Sequence, residues 1–187
     1  MQPGKFKIWI LASRPKTLPA AFVPVIVGSA AATFDGKFNI LAAVVALICS
    51  LLIQIGTNFS NDLYDYLKGA DRKERKGPMR VLASGLITVK EMQIAIAIVF
   101  SATFFIGLYL VWLGGTLILL IGILSILSGM AYTAGPYPLA YNGLGDIFVF
   151  LFFGFVGTVG TYYVHTLEIT MLPVLASIPV GGLITNI

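Results

Sequence analysis

Four polar residues with helical spacing, Asn58, Asn61, Asp62 and Asp65, interrupt the end of a long hydrophobic stretch. Residues three and four positions apart lie on one face of a helix, so the spacing predicts a stripe of amides and carboxylates. Ionisable groups in a membrane span are costly and usually face a polar cavity. Neighbouring carboxylates repel each other unless a cation lies between them, and Mg²⁺ binds one or two carboxylates together with water and phosphate oxygens. The stripe therefore indicates a site for a metal-bound phosphate.

A further acid, Asp71, follows the stripe but does not continue it. At about 100° per residue an unbroken helix would place Asp71 opposite Asp62, so we expect Gly69 to end the helix and let Asp71 fold back. Acids that hold a metal, followed by bases that neutralise the remaining charge, predict a diphosphate site. The alternative is a solvated helix end before a positively charged loop. The bases are Arg72, Lys73, Arg75, Lys76 and Arg80.

The amino-acid composition indicates that lipid surrounds much of this chain. The 187 residues are 58% hydrophobic and 11% charged, with a mean hydropathy of +0.93. Soluble domains are about 45–50% apolar and about 25% charged. So large an apolar excess cannot be buried in one soluble core, because a domain of ~150 residues still exposes roughly a third of its unfolded surface. The lipid bilayer is therefore an expected partner. The net charge of +4 follows from membrane topology, and no nucleic-acid partner is expected.

Six hydrophobic segments have a length close to the roughly 20 residues that a membrane span requires. They predict an all-α, polytopic transmembrane helix bundle that forms a single domain over residues 1–187. Gly114 and Gly115 predict a tight helical hairpin between the third and fourth spans, and Pro136 and Pro138 make the next connection irregular. The predicted spans are 17–34, 40–66, 92–112, 115–133, 144–164 and 170–187.

The distribution of basic residues orients the bundle. Of the 12 lysines and arginines, only Lys37 falls on one side, and the others lie before the first span or near the connection between the second and third. The positive-inside rule therefore predicts that the N-terminus and the acidic stripe face the cytoplasm, in a multi-pass protein of the cell membrane. The short connections near Asp35, Gly114 and His165 are expected to face outward.

Several short motifs resemble those of the UbiA superfamily of intramembrane prenyltransferases, and most closely its 1,4-dihydroxy-2-naphthoate branch. The resemblance covers essentially the whole chain and rests on the order and spacing of the motifs. They are Ser-Arg-Pro-Lys-Thr-Leu-Pro at 13–19, Gln-Ile-Gly-Thr-Asn at 54–58, Asn-Asp-x-x-Asp-x-x-Lys-Gly-x-Asp at 61–71, Gly-Pro-x-Arg at 77–80, Ser-Gly-Leu-Ile-Thr at 84–88, Tyr-Thr-Ala-Gly-Pro at 132–136 and Gly-Leu-Gly-Asp at 143–146.

The resemblance implies a transferase reaction. A polyprenyl diphosphate binds through its diphosphate to Mg²⁺, ionises to an allylic cation and alkylates an aromatic acceptor. In the naphthoate branch the acceptor is 1,4-dihydroxy-2-naphthoate and CO₂ is lost, in menaquinone biosynthesis. By position, Asp62, Asp65 and Asp71 would be the metal ligands, and Asp62, Asp65 and Tyr132 the catalytic residues. The implied substrate-binding residues are Asn58, Asn61, Lys68, Arg80, Tyr141 and Asp146.

Some of these residues have a second interpretation. Because an aromatic face stabilises a nearby cation, Tyr132 and Tyr141 are candidates to contact the allylic cation. Both could equally be aromatic residues that lie at the membrane interface. Asp146 either faces the cavity or caps the fifth span. The phenylalanines of that span are expected to face lipid or neighbouring helices. They are Phe148, Phe150, Phe152, Phe153 and Phe155.

The family also carries a second acidic motif after its sixth helix, and this sequence stops at Ile187, where the lead-in to that motif is expected. The resemblance therefore predicts that the 187-residue chain lacks half of the metal ligands and is inactive alone. The alternative functions are prenyl transfer to 4-hydroxybenzoate, homogentisate or haem, a membrane transporter, and a non-catalytic membrane module. A transport path needs polar groups through the membrane depth, whereas the polar residues here gather at one end.

Overall fold

Helices account for 79% of the residues that the structure describes. The structure is a computed structural model that describes residues 4–69 and 80–186, and no strand occurs in these two ranges. The prediction of an all-α fold is confirmed. The helices are α1 (Lys5–Ala12), α2 (Pro19–Phe34), α3 (Ile40–Leu67), α4 (Val89–Ala131), α5 (Gly145–Val149), a π-helical segment (Phe150–Val156), α6 (Gly157–Thr166) and α7 (Met171–Ile184), with 3₁₀ turns at Pro15–Thr17 and Leu139–Tyr141.

Three of the described helices are long and apolar enough to cross a membrane, namely α3, α4 and the continuous run Gly145–Thr166. A fourth span results if Lys5–Thr17 and Pro19–Phe34, which meet at a bend of 55°, are taken together. Helix α7 is apolar but only 14 residues long. The chain is therefore a multi-pass membrane protein.

Helix α4 consists of two legs joined at Gly115. Its φ of 67° and ψ of −156° lie outside the helical region, in a conformation that glycine adopts readily. A Cβ added to Gly56 of α3 would lie 2.7 Å from the Phe100 ring of the first leg, and one added to Gly129 of the second leg would lie 2.4 Å from Thr57 Oγ1. Both legs therefore run beside the same part of α3, which means that the chain reverses at Gly115 as predicted. With this reversal, the six predicted spans correspond to α2, α3, the two legs of α4, the run Gly145–Thr166 and α7.

Polar contacts mark the two ends of the bundle. Lys37, just before α3, forms a salt bridge with Glu168 at 2.7 Å, and the hydrogen bond to this carboxylate raises the pKa of the Lys37 ammonium. At the other end of α3, Arg80 donates a hydrogen bond to the backbone oxygen of Asn61 at 2.8 Å. The connection after α3 therefore lies at the end that carries the acidic stripe, opposite the Lys37 end.

Two hydrophobic clusters pack along α3, one near each end. The cluster beside the acidic stripe includes Ile8, Phe59, Leu63, Val81, Met92 and Phe100. The cluster at the opposite end includes Val25, Ala42, Ala46, Cys49, Leu110, Ile118 and Val164. Because both clusters contain α3 residues, this helix is the central element against which the others are positioned.

Helix α2 packs closely against α6 at Gly28. A Cβ added to Gly28 would lie 2.4 Å from the backbone oxygen of Thr158 and 2.8 Å from Thr161 Cβ. Small residues at such crossings allow the backbones of membrane helices to come together. Only glycine fits here without a shift of the α6 backbone.

Replacing Gly28 with alanine should therefore destabilise the bundle by about 1–3 kcal/mol, the usual cost of overpacking. The measurement is reversible unfolding of the purified protein in mixed micelles. Gly182→Ala is the matched control, because a Cβ at Gly182 meets no atom within 4 Å. Equal stabilities of the two variants would contradict the close approach of α2 and α6.

Candidate active site

The polar stripe of α3 lies on a buried face of the helix. Asn58, Asp62 and Asp65 are 3%, 2% and 6% exposed, and Asn61 is partly buried. Buried carboxylates need charged or hydrogen-bonding partners. Two segments that lie outside the spans supply them, residues 80–88 before α4 and residues 132–144 after it.

Asp65 is held by side chains from both of these segments. Its carboxylate forms an ion pair with the guanidinium of Arg80 and accepts a hydrogen bond from the hydroxyl of Tyr141. Arg80 is itself buried and also donates to the backbone oxygen of Asn61 at 2.8 Å. Three residues that the sequence assigned to the site, Asp65, Arg80 and Tyr141, are therefore brought into one cluster.

Asp62 is only partly satisfied by its surroundings. Its Oδ2 accepts a hydrogen bond from the backbone N–H of Val81 at 3.2 Å, and the backbone N–H of Leu82 also acts on the carboxylate. Its Oδ1 is buried and has no partner with hydrogen-bond geometry within residues 4–69 and 80–186. The positive charges of Arg14 and Arg80 act on this carboxylate. An unpartnered buried carboxylate oxygen is costly, and a hard divalent cation is a partner that it suits.

The predicted third ligand, Asp71, lies outside the described residues, as do Arg72, Lys73, Arg75 and Lys76. Within the described part of the chain, no group of three or more His, Cys, Asp or Glu side chains is placed to hold a metal. Among the described residues, the oxygen ligands predicted for the metal are the carboxylates of Asp62 and Asp65. Mg²⁺ prefers oxygen ligands and needs only one or two protein carboxylates, so this pair fits it.

Lys68 extends toward the connection between α4 and α5. Its Nζ donates to the backbone oxygen of Thr133 at 2.7 Å and lies 5.5 Å from the centroid of the Tyr141 ring. The hydroxyl of Thr133 in turn donates to Oδ1 of Asn61 at 2.9 Å. Thr133, to which the sequence assigned no role of its own, thus joins Asn61 and Lys68, two residues that were predicted for the site.

Asn58 connects α3 to the entry of α2. Its Nδ2 donates to the backbone oxygen of Ser13 at 2.9 Å and to Thr17 Oγ1 at 3.0 Å. Gln54, one turn earlier, donates to the same Thr17 oxygen at 3.2 Å. These bonds hold the segment that contains Arg14, whose φ of 50° is left-handed, at the end of the bundle that carries the acids.

An apolar cavity of about 430 Å³ adjoins this cluster. One face of α3 lines it from Ala46 to Asn61, which corresponds to about 22 Å at 1.5 Å per residue. This length covers most of the roughly 30 Å hydrocarbon core of a bilayer. The end beside the acids is lined by the polar residues Arg14, Thr17, Asn58, Asn61 and Tyr132, whereas the opposite end is lined by Val25, Ala46, Leu110, Val111, Ile118 and Val164.

The structure separates the two tyrosines that the sequence placed near a reacting cation. Tyr132 lines the polar end of the cavity. Tyr141 is half exposed, is bonded to Asp65 and lies outside the cavity lining. Asp146 is exposed in the first turn of α5, and because the N-cap of that helix is Leu144, Asp146 is not the capping residue.

Three phenylalanines of the fifth span line the cavity, and one of them, Phe153, also packs against Ala20, Val180 and Ile184 of the neighbouring helices, as predicted. Phe148 and Phe152 stack with ring centroids 5.9 Å apart, and Phe153 lies beside them in the cavity wall. Phe148 and Phe152 are four residues apart, so they lie on one face of the helix that continues from α5 into the π-helical segment.

Comparisons with known proteins show the family of this chain. Residues 21–187 match the UbiA prenyltransferase family. The chain is 41% identical over 174 residues to the 1,4-dihydroxy-2-naphthoate octaprenyltransferase of Escherichia coli (strain K12), covering 89% of this chain and 56% of that protein. The proteins of the same name from Haemophilus influenzae and Bacillus subtilis are 37% and 33% identical, covering 98% and 95% of this chain but 63% and 57% of their own lengths. The chain thus spans about three fifths of the length of these relatives.

Replacing Arg80 with methionine should leave the Asp65 carboxylate buried beside an apolar side chain. Loss of one partner of a buried ion pair costs about 3–5 kcal/mol, and we expect that loss in the free energy of unfolding in mixed micelles. Lys37→Met is the control, because it removes one partner of the exposed Lys37–Glu168 pair and should cost little. Equal effects of the two substitutions would mean that the Arg80–Asp65 pair does not stabilise this end of the bundle.

Proposed function

Because the chain belongs to the UbiA prenyltransferase family, we propose that it transfers a polyprenyl group from polyprenyl diphosphate to an aromatic acceptor within one transmembrane domain. The acceptor is 1,4-dihydroxy-2-naphthoate, which loses CO₂ in the reaction, and the pathway is menaquinone biosynthesis. The names of the curated relatives support this acceptor. The observation that carries the proposal is the mainly apolar cavity whose polar end adjoins the buried acids of α3.

The two ends of the cavity suit the two parts of a polyprenyl diphosphate. Burial of the hydrocarbon tail against Val25, Leu110 and Ile118 is favoured at about 25 cal/mol per Å² of apolar surface. The charged head belongs at the polar end, where Arg14 and Asn61 line the cavity. The apolar far end favours a lipid tail over an ion or polar solute, which supports the transferase over a transporter.

Mg²⁺ is the ion that we propose at the acids. Members of this family generally use a divalent metal to bind diphosphate. Asp62 and Asp65 would hold it together with Asp71, and the unpartnered Oδ1 of Asp62 supports this assignment. When bound, Mg²⁺ neutralises the diphosphate and makes it a better leaving group. Arg80 and Lys68 contribute positive charge at the same end of α3.

The side chains around the polar end are suited to an allylic cation. Tyr132 lines this end of the cavity and offers an aromatic ring to the cation. The stacked rings of Phe148 and Phe152 extend the aromatic wall. An apolar chamber also keeps water away from the reactive carbon, so that the aromatic acceptor rather than water captures it.

We place the acidic end of the bundle on the cytoplasmic side of the cell membrane. The basic residues that support this orientation lie before α2 and in the connection after α3. Lys5 of α1 lies 3.8 Å from Glu91 at the start of α4, so the N-terminal segment is at the same end as the acids. Diphosphate and acceptor would then reach the site from the cytoplasm, while the prenyl tail stays within the bilayer.

Asp62→Ala should remove the Mg²⁺-dependent affinity for a prenyl diphosphate. Isothermal titration of the protein in nanodiscs with geranyl diphosphate, with and without Mg²⁺, measures it. We expect a loss of at least about tenfold, equivalent to about 1.4 kcal/mol, because the carboxylate with an uncommitted oxygen is removed. The matched control is Asp35→Ala, which removes a carboxylate hydrogen-bonded to Tyr162 at the opposite end and should leave the affinity unchanged.

Affinity that does not depend on Mg²⁺, or that survives in Asp62→Ala, would contradict the diphosphate site. The acceptor is tested by release of labelled CO₂ from carboxyl-labelled 1,4-dihydroxy-2-naphthoate when prenyl diphosphate is added to a form of the protein that carries both acidic motifs of the family. Prenylation of 4-hydroxybenzoate in preference to the naphthoate would contradict the assigned acceptor while leaving the diphosphate site intact.

A further inference from the structure

An open, mainly apolar groove lies on the outer surface of the bundle, between α1 and the first leg of α4. Its volume is about 470 Å³, and none of the described residues that line it also lines the cavity of the candidate active site. An inference about the groove is therefore independent of the proposed function. The apolar side chains that line it are Trp9 of α1, Phe59 of α3, and Ile94, Ala95, Ile98 and Val99 of α4.

The length of the groove suits a lipid chain in one leaflet of the bilayer. Its α4 residues run from Glu91 to Val99, which corresponds to about 12 Å at 1.5 Å per residue. One leaflet contributes about half of the 30 Å hydrocarbon core. Ile94 and Ile98, one turn apart, line the groove and are both exposed. An acyl chain that lies against them would stay within a single leaflet.

Helix α1 is placed to contact lipid head groups as well as lipid chains. The bend of 55° before α2 sets α1 at an angle to that helix, and Ile8 anchors it in the hydrophobic cluster beside the acidic stripe. Phe6 and Ile10, one turn apart, are exposed, and so are Lys5 and Lys7. Exposed apolar and basic side chains on one short helix are typical of a helix that lies in the membrane interface. Helix α1 therefore brings basic groups to the depth of the lipid phosphates.

Basic side chains also gather at the end of the groove where α4 begins. Nζ of Lys5 lies 3.8 Å from Oε1 of Glu91, the acid that lines the groove. Lys90 is exposed and lies one turn before Ile94, on the same face of α4. The carboxylate of Glu91 is already bonded within the protein, because its Oε2 accepts from the backbone N–H and the hydroxyl of Thr88 at 2.9 and 2.8 Å. Two lysines beside one such carboxylate favour an anionic ligand.

We propose that this groove binds one acyl chain of an anionic phospholipid, whose phosphate lies between Lys5 and Lys90. Lysine ammonium groups form charge-assisted hydrogen bonds to phosphate oxygens. Each basic residue near an anionic bilayer surface favours it by a factor of about five. Burial of the chain against Trp9 and Ile94 adds a hydrophobic contribution. Because the lipid contacts both helices, it stabilises the packing of α1 against α4.

Brominated lipids test the proposal, because the two tryptophans of the chain report on different places. Trp9 lines the groove, whereas Trp112 is exposed near Gly115, at the opposite end of α4's first leg. Trp112→Phe leaves Trp9 as the reporter, and Trp9→Phe leaves Trp112. In phosphatidylcholine nanodiscs with a small fraction of chain-brominated phosphatidylglycerol, quenching of Trp9 should show at least about a fivefold local enrichment of that lipid. Trp112 should report the bulk fraction, and brominated phosphatidylcholine should not be enriched at Trp9.

Two kinds of substitution, made in the Trp112→Phe background, separate the charge from the groove. Lys5→Gln and Lys90→Gln should each lower the enrichment about fivefold. Lys16→Gln is their control, because it removes the same charge from an exposed position in the 3₁₀ turn at Pro15–Thr17, outside the groove. Ala95→Phe fills the groove and should abolish the enrichment although both lysines remain. Ala97→Phe is its control, because Ala97 is exposed and does not line the groove.

Equal quenching of Trp9 by the two brominated lipids would overturn the proposal, and so would enrichment that persists in Lys90→Gln or in Ala95→Phe. If Ala95→Phe does not fold, the variants of Lys5 and Lys90 decide, because both lysines are exposed. Added geranyl diphosphate should leave the enrichment unchanged. Displacement of the brominated phosphatidylglycerol by that substrate would assign the groove to the prenyl chain and contradict a phospholipid site.

Discussion

The burial of two carboxylates at one end of a membrane helix is the constraint on which the rest of the structure depends. A charge in this environment is costly unless it is paired. Asp65 gains its partners from Arg80 and Tyr141, so the segments on both sides of α4 must fold over the end of α3. Asp62 keeps one oxygen without a partner among the described residues. The fold therefore gives Asp65 partners within the protein and leaves an oxygen of Asp62 suited to a cation.

The same helix connects this charged end to the apolar cavity. The face of α3 that lines the cavity carries small residues such as Ala46 and Cys49 at the far end and amides such as Asn58 near the acids. A ligand along this face would meet hydrocarbon over most of its length and polar groups at its head. The change from apolar to polar residues on one helical face is therefore the physical basis for selecting an amphipathic lipid.

Much of this arrangement was predictable from local sequence patterns, and the remainder depends on tertiary contacts. The stripe from Asn58 to Asp65 follows from the helical period, and the reversal at Gly115 follows from a glycine pair between apolar segments. The bond between Thr133 and Asn61 joins residues 72 positions apart, which no local pattern encodes. The position of Phe148 and Phe152 in the cavity wall depends on how their helix packs in the bundle, which no local pattern encodes either.

Photolabelling with a prenyl diphosphate that carries a diazirine at the end of its tail would show whether the cavity holds that tail. Binding of the tail there predicts Mg²⁺-dependent adducts at the apolar end of the cavity, on residues such as Leu110 and Ile118, and their loss when unlabelled prenyl diphosphate competes. Adducts confined to exposed residues such as Trp112 and Leu127, or labelling unaffected by Mg²⁺ and competitor, would contradict it.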